Sequence, residues 1–278
     1  MYRDYNKEEL FEKIDKLSIE RTNNQVITKY NGVVINISNV SNRYEIFDLS
    51  KYLKEKIELI EKNFNISKYE FLITKGRQYL TLVSDEVTIN DIIFQKTFYI
   101  QNSTDRSRKL SFYVGLRSNK FSLIRGNNIE LNKKHLTGIT QIAESAIEGL
   151  NEESFDDQIE SIKSLVGHTI KFSNIRKVIL GNDEKIPKIN HQKFDMFKNL
   201  IKNSLYDTLT PLQRRELSKY SEHFTLTEDF VVDAFLVLNC YLSIFRQQDS
   251  HIIKTESDRI FKITQYAIRN SRLETLFN

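Results

Sequence analysis

A single cysteine, two prolines, eight glycines and no tryptophan occur in 278 residues. One cysteine, Cys240, excludes an internal disulfide and any metal site built from several thiolates. It also fits a reducing cytoplasm. So few prolines and glycines leave little turn chemistry, and long elements joined by few tight loops are expected. No apolar run reaches the roughly 20 residues that a membrane-spanning helix needs. The longest, FVVDAFLVLNCYLSIF at 230–245, is interrupted by Asp233 and Asn239 and reads as a buried core helix. Cys240 lies inside it, as a small core residue rather than a nucleophile. The opening MYRDYNKEEL is charged, so no secretory signal is expected there.

Chemistry-bearing patterns are equally scarce. No phosphate-binding or dinucleotide glycine fingerprint occurs, so no cofactor is expected. The histidines, His135, His168, His191, His223 and His251, lack metal-ligand spacing. Asp156-Asp157 and Asp183-Glu184 are adjacent pairs, and neighbours on a helix point apart. His135-Leu136-Thr137-Gly138 reads as a capping turn. The reading leans away from an enzyme.

Hydrophobic residues make up 40% and charged residues 28%, the balance of a globular chain able to bury a core. Apolar spacing predicts a helix from Lys7 to Glu20, a strand at 32–38, another at YEIFDL, and a helix from Leu49 to Ile60 capped by Asp48 or Ser50. Residues 69–84 read as a hairpin turning at Lys75-Gly76-Arg77. Strands follow at IIFQKTFYIQ, KLSFYVGL and FSLIR. In KLSFYVGL and its next residue, Leu110, Phe112, Val114 and Leu116 alternate with Ser111, Tyr113, Gly115 and Arg117, which predicts one buried and one polar face. Near residue 132 the period changes. Helices are predicted at 138–150, from Ser154 to Gly167, across Phe194–Leu205, from Thr210-Pro211, from Thr227 and from Thr255. The expected class is α+β: a largely antiparallel sheet with one or two helices (1–131), then a helical half (132–278), the two forming separate domains or one integrated domain.

Positive charge is uneven. Between Lys96 and Lys134 stand nine bases, namely Lys96, Arg106, Arg108, Lys109, Arg117, Lys120, Arg125, Lys133 and Lys134, against Asp105 and Glu130. That local excess of seven exceeds the +4 of the whole chain. Arg and Lys interleaved with aromatics suit phosphate contacts and base stacking. The candidate binding set is Arg106, Arg108, Lys109, Tyr113, Arg117, Lys120, Arg125, Lys133 and Lys134. A different use is pairing, within one molecule or between subunits, with the acidic series Glu144, Glu148, Glu152, Glu153, Asp156, Asp157 and Glu160.

The stretch FYIQNSTDRSRKLSFYVGLRSNKFSLIRGNN resembles a family of phage- and plasmid-encoded proteins of unknown function. The matching residues are Asn102, Ser103, Asp105, Ser107, Leu110, Gly115 and Arg125-Gly126-Asn127. Asn239 and His251 match the family's late helix, whereas Ser243-Ile244 departs from its Thr-Glu pair. The resemblance, over about 90–265, implies a phage or mobile-element accessory protein in the host cytoplasm, and no particular reaction. Together these readings lead to a macromolecule binder, with nucleic acid as first partner. The alternative is an inhibitor of a host defence complex whose charged segments are protein interfaces. A homo-oligomer is compatible with either, and membrane association with neither.

Overall fold

The computed structural model describes residues 3–42, 46, 49–104, 110–125, 131–133, 138–175, 191–208, 211, 231–246 and 248–276. The fold is α+β, with antiparallel sheets and helices that grow more abundant toward the C-terminal half. The chain divides into two units. One holds Met1–Ser118 and Ile124–Ile159, the other Asn119–Leu123 and Glu160–Asn278. The change of period near 132 therefore falls inside the first unit.

The first unit starts with β1 (Arg3–Tyr5) and α1 (Lys7–Asp15). Asn6 and Glu9 form a reciprocal capping box on α1. The helix predicted as far as Glu20 is shorter than expected. Residues Leu17–Thr22 are β2, hairpinned to β3 (Gln25–Tyr30), which pairs in turn with β4 (Val33–Asn39). Asn23 and Asn31 adopt left-handed φ in the two turns, a conformation asparagine tolerates. Of the strand predicted at YEIFDL, residues 44, 45, 47 and 48 lie outside the described set, and Leu49 instead begins α2 (Leu49–Asn63).

The larger sheet is built on β1 together with β5 (Lys68–Thr74), β6 (Arg77–Ile89), β7 (Ile92–Ser103), β8 (Leu110–Arg117) and β10 (Leu131–Lys133). Its order is β1-β5-β6-β7-β8-β10. The hairpin predicted at 69–84 is present, and Lys75 and Gly76 form its turn at φ 46° and 74°. One face is apolar, with Tyr69, Leu82, Phe98 and Val114 in one cross-strand row and Phe71, Leu80, Ile100 and Phe112 in the next. Against it pack Phe64, just past α2, and Phe155, from a 3-10 turn at Glu152–Phe155. Their rings meet Phe98 edge to face at 4.8 and 5.4 Å. The 3-10 turn is capped by Asn151, not begun by Ser154, and leads into α4 (Asp156–Lys163) after α3 (Ile139–Glu148). Tyr69 donates to Glu61 on α2, and Lys7 on α1 pairs with the same carboxylate at 2.5 Å, which fastens both helices to β5.

In the second unit the inserted segment Asn119–Leu123 contains β9 (Ser122–Leu123). It supplies buried Phe121, whose ring lies 6.3 Å from that of Phe235. β11 (Thr169–Lys171) pairs with β12 (Val231–Asp233). Thr227 lies outside the described residues. The apolar helix α6 (Ala234–Ser243) opens at Asp233, which accepts from the Leu236 amide at 2.8 Å. It packs with α5 (His191–Thr208) through Phe197 and Tyr241, 5.9 Å apart. The last helix, α7 (Ser250–Leu276), starts five residues before the predicted Thr255. Asp249 accepts from the Ile252 amide there, while Thr255 sits one turn inside and donates to the His251 carbonyl. The helix expected from Thr210 lies outside the described residues, apart from Pro211. No helix among the described residues is long and apolar enough to cross a membrane.

Two stability outcomes follow. Phe98→Ala opens a void beside the rings of Phe64 and Phe155 and should cost about 3–5 kcal/mol in urea unfolding. Cys240 is buried, 3.7 Å from Ser204 Oγ, and burial raises its thiol pKa. Slow labelling by a thiol reagent in the native state, and a loss of roughly 1 kcal/mol for Cys240→Ala, are expected.

Candidate binding surface

The chemistry expected for β8 holds, but the exposure does not. Every residue from Leu110 to Leu116 is buried, so the polar face is as closed to solvent as the apolar one. Tyr113 is 2% exposed. It lies in the cross-strand row Asp4–Glu70–Thr81–Tyr99–Tyr113, not on an open stacking platform. This closed polar face carries its own charge balance. Arg117 reaches from β8 across β7 and β6 to donate to Glu70 on β5 at 2.8 Å. On a flat sheet those backbones stand about 14 Å apart, so the pair needs two extended side chains on one face. Lys68 adds contacts to Glu70 at 3.3 Å and Asp4 at 2.9 Å. Burial alone would lower the pKa of Arg117 and Lys68; the carboxylates outweigh it and raise both.

Lys96, at the edge of the basic stretch, pairs with Glu152, and its ammonium stands 5.7 Å from the Phe155 ring. One contact between the basic and acidic series is thus made inside the molecule. Arg125 is half-buried, and its carbonyl accepts from Gln158. Lys120 is exposed and belongs to the second unit, whereas Arg117 and Arg125 belong to the first. Arg106, Arg108, Lys109 and Lys134 lie outside the described residues. Lys133 ends β10, and its backbone alone is described.

Register supplies what a linear charge count misses. Arg77 pairs with Ser103, and Leu110 pairs with Lys133. The β5–β6 turn, the end of β7, the start of β8 and the end of β10 therefore lie at one end of the sheet. Lys75 and Arg77 sit at that end. The positions Arg106, Arg108, Lys109 and Lys134 are bracketed in the chain by Ser103, Leu110 and Lys133, which also lie there. At the opposite end are the Asn90-Asp91 turn and, just before it, Asp85 and Glu86. The signal is present in principle, because alternate turns of an antiparallel meander share an end. In the linear sequence Lys75 and Arg77 stand out only as turn residues.

The basic end is anchored. Thr104 donates through its amide and its hydroxyl to the Gly76 carbonyl, at 2.8 and 3.1 Å, and its hydroxyl meets that of Thr28 at 2.6 Å. A Cβ on Gly76 would stand 2.7 Å from Asn36 Nδ2 and 2.8 Å from Thr104 Oγ1. Among the described residues no group of three or more His, Cys, Asp or Glu could hold a metal ion. Compared with known proteins, the chain matches no family model, no curated protein and no solved structure.

Glu70→Gln should leave Arg117 without its counter-charge and cost about 1–3 kcal/mol in urea unfolding. Gly76→Ala should cost upwards of about 1 kcal/mol, from the left-handed φ and the crowding together.

Proposed function

We propose that the protein binds a polyanion, nucleic acid, at the end of the larger sheet where Lys75, Arg77 and Lys133 stand and which the segment Arg106–Lys109 and Lys134 adjoin in sequence. One observation carries the reading: the pairing of Arg77 with Ser103 and of Leu110 with Lys133 gathers into one place bases that are far apart in sequence. Lys75 is exposed there. Binding is to phosphates more than to base faces, because Tyr113, the aromatic expected to stack, is buried. Arg117 and Lys96 serve the scaffold. The resemblance of 90–265 to phage- and plasmid-encoded proteins extends the proposal to an accessory role in a mobile element.

A second reading, a protein-binding inhibitor, draws support from the acidic turn. Glu153 and Asp156 remain exposed beside the Lys96–Glu152 pair, as a surface for a basic partner would.

Fluorescence anisotropy with single- and double-stranded oligonucleotides across a salt series tests the first reading. Removing a side chain that neutralises one phosphate should flatten the slope of log affinity against log salt by about 0.7 to 0.9. Changing Arg106, Arg108 and Lys109 together to Gln should lower the slope by about 2, and Lys75→Gln by a little under 1. Arg117→Gln should leave the slope alone and reduce stability instead. Absence of binding to either polynucleotide at low salt ends the nucleic-acid reading. Loss of a co-purifying protein on changing Glu153 and Asp156 to Lys, without any polynucleotide binding, establishes the second.

A further inference from the structure

The two halves of α7 use their charges differently. Toward its start, Lys254 pairs with Asp258 at 2.9 Å, and Arg259 pairs with Glu256 at 3.1 Å while also reaching the Tyr241 hydroxyl. From Arg259 to Asn270 the helix then holds no acid. Lys262, Tyr266 and Arg269 follow one another at four- and three-residue spacing, which sets them in one row along a single face. On the opposite side Ile260, Ile263, Thr264 and Ala267 are all buried. The three residues of the row are exposed, Tyr266 by 55%. Among the described residues none of the three enters an ion pair or a side-chain hydrogen bond. The row contributes little to folding, because the ring keeps its apolar area in water and the cations have no internal partner.

We infer that this face of α7 is a second nucleic-acid contact, one that takes single strands: Lys262 and Arg269 hold phosphates, and an unpaired base stacks on Tyr266. It shares the ligand of the preceding proposal and none of its residues, and it lies in the second unit. Charge complementarity selects an anion, since the face carries two free cations and no carboxylate. The ring selects the kind of anion. Stacking on tyrosine suits a base that has left its duplex, and it adds to phosphate neutralisation without reading sequence. Lys262 and Arg269 stand about 10 Å apart along the helix axis with the ring between them, within reach of one short stretch of strand. An anionic membrane is a poorer match. Helices that lie on a bilayer insert a broad apolar face, and the apolar face of α7 is already buried in the protein. An acidic polypeptide satisfies the cations and leaves the ring without a partner.

Fluorescence anisotropy of the full chain with a labelled oligothymidylate, over a salt series, tests the inference. Changing Lys262 and Arg269 together to Gln should flatten the slope of log affinity against log salt by about 1.4. Tyr266→Ser should weaken binding by about tenfold at an unchanged slope, and Tyr266→Phe, which keeps the ring, should bind as the parent does. Ultraviolet crosslinking of the unmodified protein to the same oligonucleotide covers the case in which a variant fails to fold, and should label Tyr266. The two proposed sites fail separately. If these changes act and Lys75→Gln does not, the α7 contact stands and the end of the sheet is not the site. If Lys75→Gln acts and these changes do not, the α7 contact is overturned. It is also overturned if Tyr266→Ser binds as tightly as the parent, if polyglutamate displaces the oligonucleotide at equal concentration, or if phosphatidylserine vesicles bind and the oligonucleotide does not.

Discussion

Gly76 is where three demands on the chain coincide. The β5–β6 turn needs a left-handed backbone there, at φ 74°, which glycine adopts without a steric penalty. The carbonyl of the same residue takes two hydrogen bonds from Thr104, at the end of β7. The space a side chain would fill is occupied by Asn36 from the small sheet. A two-residue turn leaves no slack in register. Once Thr74 faces Arg77, the pairing of β5 with β6 is set from Thr74 back to Lys68.

The sheet so registered separates its charged residues into two groups. Arg117, Lys68, Glu70 and Asp4 form a chain of ion pairs that runs from exposed Asp4 to buried Glu70, where an uncompensated charge would be costly. They specify how β1, β5 and β8 face one another. Lys75, in the β5–β6 turn, lies outside that chain of ion pairs. Lys75 is exposed, and the sheet's own hydrogen bonds do not depend on it. Local charge density alone does not separate the two groups. Only the spatial partner does, and Glu70 lies 47 residues before Arg117.

Local patterns are legible where local physics decides. The hairpin at 69–84 announces itself by two β-rich runs around a glycine, and the apolar helix at 234–243 by composition. Helix α1 looks longer in the sequence than it is because Leu17 and Ile19 continue a helical spacing. The chain turns to strand there because β3 offers Leu17–Thr22 a complete ladder of partners. Thr255 looks like a cap, since threonine caps well. It sits inside α7, where its hydroxyl bonds one turn back, and a single sequence does not distinguish the two uses. For the site, the excess of bases is visible at once. The burial of Tyr113 is not, because alternation reports the chemistry of a face and not whether something covers it.

The inserted segment Asn119–Leu123 makes the two units interlock along the chain rather than follow one another. A fragment that starts at Glu160 would lack Phe121 and Leu123, both buried in the second unit. It would be born with a hole that no downstream residue was shaped to fill. Conversely, the first unit closes only after the chain has left it, passed through the second and come back. During synthesis those five residues emerge long before the helices that shelter them, and they must wait with their apolar side chains uncovered. No single cut in the chain yields two whole units. Recombination that shuffles domains as contiguous cassettes would therefore have to carry this pair together.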